Sequence, residues 1–474
     1  MPIIWLNISA TRYALKLSFL LVAALLAGCS QIGDYKRPAA PVAESWPDAA
    51  APGGKRVAAQ TEWRTFFPDP RLQALIAAAL ERNRDMRMAV ARIEEARAQY
   101  GITRADRLPT VNANFGRNAA MTPGEAVGGT NTSISGQRYD FTLSTVSYEV
   151  DFWGRVNGLS ESARASYLSS EEARRAMRLS LIADVANAYF TLLEMSERTQ
   201  LARAGVGSRE KALALVARGR EAGFASALDY LQAESALEAA RAEVAILDRE
   251  RAAAANLLQF LVGGFPESLP AGRTLATQDV DADLAAGLPA EVLVARPDVI
   301  AAEQRLIAAH ANIGVARAAF WPKILLTASV GVASRALATL FAPGHNSWAF
   351  QPSLNMPLFD GGRNAGNIDL AEARKIIAVA DYEKTVQQAF REVADLLAAR
   401  TTMTEQRRSA EANLKVQDER LKVAQALFKG GQTGYLDVLD AQREHFAAQQ
   451  STVQVRRAQL SASAQLYKAL GGGD

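Results

Sequence analysis

The sequence predicts a mainly α-helical chain that also carries four membrane-suited β-strands, laid out as two copies of one unit. Three observations predict this. Proline-free stretches are very long: Arg155 to Arg218 is 218 − 155 + 1 = 64 residues, roughly 95 Å if it is one helix rising 1.5 Å per residue. Two pairs of runs alternate apolar with small or polar residues, at the roughly 9–11 residues that a membrane-spanning strand needs. The chain also matches itself. Shifted by 213 residues, Asp85, Ala89, Arg92, Gly101, Arg104 and Pro109 fall on Asp298, Ala302, Arg305, Gly314, Arg317 and Pro322. Shifted by 208, Arg155, Gly223, Leu228 and Asp229 fall on Arg363, Gly431, Leu436 and Asp437.

Composition excludes several classes. The 474 residues hold 53 Lys+Arg against 50 Asp+Glu, a formal charge of +3, too balanced for a nucleic-acid binder. With 22% charged residues the chain is too polar for a bundle of membrane helices. One cysteine excludes a disulfide framework within the chain, and His310, His345 and His445 show no metal-ligand spacing. No Ser-His-Asp set, phosphate-binding glycine loop or metal triad is present, so neither an enzyme nor a cofactor is expected.

The elements follow in order. Residues 1–28 read as a secretory leader: Arg12 and Lys16 precede an apolar stretch from Leu17 to Ala27, too short to span a bilayer as a helix. It ends in Leu26-Ala27-Gly28-Cys29, which resembles a bacterial lipobox and implies cleavage before Cys29 and acylation there. The residue after it, Ser30, gives no signal for retention in the inner membrane. Residues 29–68 form a Pro/Ala-rich arm expected to run extended over a surface. The first repeat, 69–262, opens at Asp69-Pro70, an N-cap with proline in the first turn.

Strands are expected near 109–117 and 139–150, with a Gly/Thr/Ser/Asn-rich loop from Asn118 to Arg138 of extracellular character. After Thr145 the alternation changes phase, which predicts a bulge or the end of the strand. Long helices follow, from Arg155 and from Ala225 to Val262. Leu181, Val185, Ala188, Leu192, Ile182, Tyr189 and Leu193 leave more than one helix face apolar, as coiled-coil packing requires. Residues 263–290 join the copies. The second repeat, 291–474, has strands near 323–333 and 347–358 and helices from Gly362 to about Phe428 and from Tyr435 to Leu470.

Four strands cannot seal a barrel, and unpaired edges do not survive in lipid. The smallest usual membrane barrel has about eight strands. A chain that crosses a membrane this way must therefore oligomerise, and two or three copies would both serve. The sequence also resembles the TolC-like outer-membrane factors, in particular the lipidated OprM-type subclass that serves RND efflux pumps. The resemblance rests on Leu26-Ala27-Gly28-Cys29 with Asp34-Tyr35-Lys36-Arg37-Pro38, and on Ala295-Arg296-Pro297-Asp298 with Glu303. It rests also on Phe320-Trp321-Pro322, Pro357-Leu358-Phe359-Asp360-Gly361-Gly362-Arg363, and Gly434-Tyr435-Leu436-Asp437-Val438-Leu439-Asp440-Ala441-Gln442-Arg443.

The resemblance implies a homotrimer with a twelve-stranded β-barrel, four strands per chain. A long periplasmic α-helical barrel and a mixed equatorial domain that includes 263–290 complete the expected architecture. It implies an outer-membrane exit duct lodged in outer-membrane lipid, partnered by a periplasmic adaptor protein and an inner-membrane RND pump. A lipid-anchored scaffold without a pore and a type I secretion duct are the alternatives.

The candidate gate lies in the last motif. Asp437 and Asp440, three apart on a helix, share a face with Leu436. In an oligomer each becomes a ring: carboxylates select cations, and leucines close a pore by dewetting. Arg443 is placed to pair with Asp440 or with the matching part of the first repeat around Asp229. The resemblance points to Leu436, Asp440, Arg443 and Asp229 as the periplasmic gate. Relatives often carry a tyrosine where this chain has Phe428, so a tyrosine–aspartate latch is not expected here. Gly223 and Gly431 are expected at the periplasmic tips where helices reverse, and the resemblance implies adaptor docking there.

Overall fold

The structure is a computed structural model that describes residues 31, 33–47, 56–122, 134–278, 280, 284, 285, 287 and 289–473. The leader and Cys29 lie outside the described residues. The chain divides into two compact units. One comprises the chain up to Pro38, Ile93–Ser169 and Ala302–Asp381; the other comprises Ala39–Arg92, Ser170–Ala301 and Tyr382–Asp474.

The element order repeats. In the first copy helix α3 (Arg84–Ala105) leads to β2 (Asn112–Thr122) and β3 (Ile134–Val150), then α4 (Arg155–Glu221) and α5 (Ala227–Val262). In the second copy helix α7 (Pro297–Ala318) leads to β5 (Lys323–Ser334) and β6 (Asn346–Asn355), then α8 (Arg363–Lys429) and α9 (Tyr435–Ala469). The helices α4 and α8 each hold 67 residues. Ahead of the first copy stand β1 (Arg56–Val57), α1 (Trp63–Phe66) and α2 (Pro70–Arg82); between the copies stand β4 (Leu284–Ala285) and α6 (Pro289–Ala295).

In the first unit the four long strands form one antiparallel sheet in the order β2-β3-β5-β6. The β2–β3 hairpin is longer than composition suggests: pairing runs out to Thr122 and Ile134, so both ends of the expected Asn118–Arg138 loop are strand, and its middle lies outside the described residues. β2 also begins later than residue 109, at Asn112. The change of phase after Thr145 is a bulge, with the β3–β5 register shifting between Thr145 and Tyr148 and Ser147 at φ 54.

The second unit holds a large apolar core. Leu181, Ile182, Val185, Tyr189 and Phe190 of α4 pack with Phe66, Phe67, Leu72, Leu75 and Tyr467. Trp63, Phe66 and Phe67, read from sequence as part of an extended arm, are core residues of the short helix α1 and its exit. β1 pairs in parallel with β4, which ties residues before the first copy to the segment between the copies.

Asp69 anchors this region. It caps α2 through the Arg71 N–H at 2.8 Å and accepts from Tyr189 Oη at 2.9 Å, the Arg273 N–H at 3.0 Å and Gln278 Nε2 at 2.6 Å. Burial alone would push its carboxyl up; these four donors, led by the Gln278 amide, outweigh burial and hold it below the usual carboxylate value.

Candidate pore and gate site

The sheet presents an apolar face that, among the described residues, is left largely exposed, with only Phe341 against Phe141. Leu143, Val330 and Trp348 lie side by side across three strands, and Phe115 pairs with Phe141 on the same face. Trp348 is 80% exposed and Phe115 62%. The opposite face carries Asn114, Thr142, Ser144, Ser329 and Gln351. Alternation with period 2 produces this division, and in a chain surrounded by water a face of this kind would be a liability. Trp153 and Trp321 stack at 4.5 Å where β3 ends and β5 begins, and the Trp153 indole donates to the Pro322 carbonyl at 2.8 Å. Paired tryptophans at the end of such a face match the aromatic belt of a membrane interface. β2 and β6 stand at the two edges of the sheet, each with one side unpaired among the described residues.

The helix reversals lie in the second unit. Gly223 and Gly431 take φ values of 79 and 70. In both turns the glycine N–H reaches the carbonyl three back, and the next N–H reaches the carbonyl five back: Gly223 to Arg220 and Phe224 to Gly219, Gly431 to Phe428 and Gln432 to Leu427. This Schellman closure needs a left-handed residue, which glycine supplies without a Cβ clash. Tyr435, Val438, Val216 and Ala233 bury one another just beyond the turns, with Phe428 5.5 Å from the Tyr435 ring. Phe428 therefore serves as a packing residue of the tip.

Three of the sequence-predicted gate residues come together and two do not. Leu436, Asp440 and Arg443 line one groove of about 580 Å³ with Arg198, Arg209 and Glu243. Leu436 is 62% exposed into it. Arg443 Nη2 reaches Asp440 Oδ1 at 2.7 Å, one turn along α9. Asp437 points elsewhere: it takes a hydrogen bond from the Thr433 hydroxyl at the start of α9. Asp229 does not meet Arg443. It closes a capping box with Ser226, accepting from the Ser226 N–H at 2.9 Å and hydroxyl at 2.7 Å while its own N–H donates to Ser226 Oγ at 3.1 Å. The Ser226 hydroxyl, then its N–H, lower the Asp229 pKa. Both aspartates are third residues of their helices, where a carboxylate meets free N–H groups.

The sequence reading missed Arg420. Its Nη2 bonds Asp440 Oδ2 from α8, across the hairpin. The signal was available, because Arg420 and Asp440 stand at nearly equal distances on either side of Gly431. Arg209 on α4 has no carboxylate partner among the described residues; burial lowers its pKa, partly offset by Tyr435.

An exposed apolar sheet whose edges are open among the described residues, in a chain that also forms long helical hairpins, defines a class: the subunit of a membrane channel built by association. The model of the outer membrane efflux protein family matches residues 75–264 and 288–472, and the chain belongs to that family. It is 42% identical over 466 residues to the outer membrane protein OprJ of Pseudomonas aeruginosa, covering 97% of this chain and 96% of that one. It is also 42% identical over 462 residues to the toluene efflux pump outer membrane protein TtgC of Pseudomonas putida, covering 96% and 95%. Among solved structures, the open state of the MtrE outer membrane channel of Neisseria gonorrhoeae superposes with a TM-score of 0.84 at 39% identity, covering 94% of this chain and 98% of that one. The chain is thus an outer-membrane channel subunit of efflux machinery, of the TolC-like type, and the pore-less scaffold is set aside.

Proposed function

We propose that three copies close a twelve-stranded barrel and form the passive exit duct of a tripartite RND-type efflux system. The carrying observation is the open sheet: β2 and β6 each leave an edge unpaired among the described residues, beside an exposed apolar face suited to lipid. An adaptor docks on the tips at Gly223 and Gly431, and an inner-membrane pump supplies the energy. The duct catalyses no reaction; small toxic compounds pass from the periplasm or the pump to the outside. Cys29, acylated after cleavage of the leader, adds a lipid anchor.

The periplasmic gate reduces to Leu436, Asp440 and Arg443, joined by Arg420. Asp437 and Asp229 hold helix starts and act on the gate only through the position of those helices. Purification in detergent with heat-modifiable trimers and ion conductance in planar bilayers is the expected outcome. A chain that remained a folded, water-soluble monomer without detergent would defeat the proposal.

A further inference from the structure

The arm carries an ion pair that the channel reading leaves unused. Arg37 grips Glu303 as a fork, Nε donating to Oε1 at 2.6 Å and Nη2 to Oε2 at 2.7 Å. The Tyr35 hydroxyl donates to the same Oε1 at 3.2 Å. Glu303, on α7, is 7% exposed. Two turns further along α7, His310 Nε2 meets the Gly33 carbonyl at 2.9 Å, and its ring meets Tyr35 edge-on at 6.0 Å. Upstream, the Gln31 N–H donates to the Trp153 carbonyl at 3.4 Å. A carboxylate so nearly buried is costly unless paired, so α7 is complete only with the arm in place.

We propose that Glu303 and His310 form a docking site for the arm, which delivers the acyl chains of Cys29 to lipid beside the Trp153–Trp321 pair. The inference rests on the acylation reading above. Cys29 precedes Gln31 by two residues, which allows at most about 7 Å of chain. Gln31 is tied to Trp153, and tryptophan pairs of this kind settle at the boundary of the hydrocarbon. The dock therefore sets the depth and the place at which the lipid enters, at the foot of the sheet.

The test uses the full acylated chain in liposomes. Acylation blocks Cys29, the sole cysteine, so Gln31→Cys provides the only free thiol for a bimane label, which contact with tryptophan quenches. Quenching is expected in the parent, and Trp153→Phe should relieve it. Arg37→Gln, altered on the exposed side of the pair, should relieve it too and raise amide exchange across residues 31–38 by about tenfold; Glu303→Gln should do the same. Unchanged quenching and exchange in both variants would overturn the docking site. Intact mass reports acylation independently. A chain lacking the acyl mass but keeping a protected arm would remove the lipid's role and leave the dock standing.

Discussion

Asp440→Ala tests the gate most directly. It removes two ion pairs at once: the Arg420 pair that ties α8 to α9, and the Arg443 pair within α9. The side chains are 46% exposed for Arg420, 37% for Asp440 and 72% for Arg443. Pairs as wet as these contribute roughly 0.2–1 kcal/mol each, so the loss is about 1 kcal/mol per chain. If three copies open together, about 3 kcal/mol shifts the closed-to-open ratio by roughly 150-fold. Closed-state conductance in planar bilayers reads this shift. Arg420→Ala should open the channel more than Arg443→Ala, because only the first pair spans two helices. High salt should mimic the variants in the parent channel, since the screening length falls from roughly 10 Å at 0.1 M to roughly 3 Å at 1 M. Unchanged closed-state conductance in Asp440→Ala and Arg443→Ala, or a larger effect from Arg443→Ala than from Arg420→Ala, refutes the reasoning.

Asp69→Ala should lower thermal stability by about 3 kcal/mol or more, because it strands the Tyr189, Gln278 and Arg273 donors, and unmet buried partners cost roughly 1–3 kcal/mol each. The Asp69 carboxyl is held below its ordinary value, so its contribution is whole at neutral pH and fades as pH falls through the folded pKa. Melting curves of Asp69→Asn should lack that acid limb. Gly331→Ala should prevent heat-resistant oligomers on gels, since a Cβ there would lie 2.1 Å from the Phe141 carbonyl oxygen on the neighbouring strand. Cys29→Ala should yield a mature chain without acyl mass, read by mass spectrometry; retention of that mass would disprove the anchor's location.

The long helices were legible because absent proline and repeated small residues leave the backbone one good option. The turns at Gly223 and Gly431 were legible from the repeat, and the cap at Asp69 from the proline after it. The bulge after Thr145 showed as a phase error in an otherwise strict alternation. The far end of the β2–β3 hairpin was hidden, because Asn118, Thr122 and Gly136 read as loop residues while ladder bonds between backbones ignore side-chain type. Asp229 finds its partner closer at hand than Arg443. Its spacing from Ser226 is that of a capping box, and this local bond takes the carboxylate that could otherwise have reached Arg443. Arg420 shows only when the two helices are folded back about Gly431, because periodicity along a single helix does not report pairs across a hairpin.

The duplication is not perfect at the helix starts. Serine closes the beginning of α5 with a reciprocal pair of bonds, whereas Gly434 occupies the matching place in α9 and its aspartate borrows a hydroxyl from the preceding Thr433. One fingertip is locked by its own residues and its twin is held from outside. If the proposed adaptor seats on both tips, amide exchange in the first turn of α9 should exceed that of α5 before docking, because the reciprocal pair at Ser226 has no counterpart at Gly434.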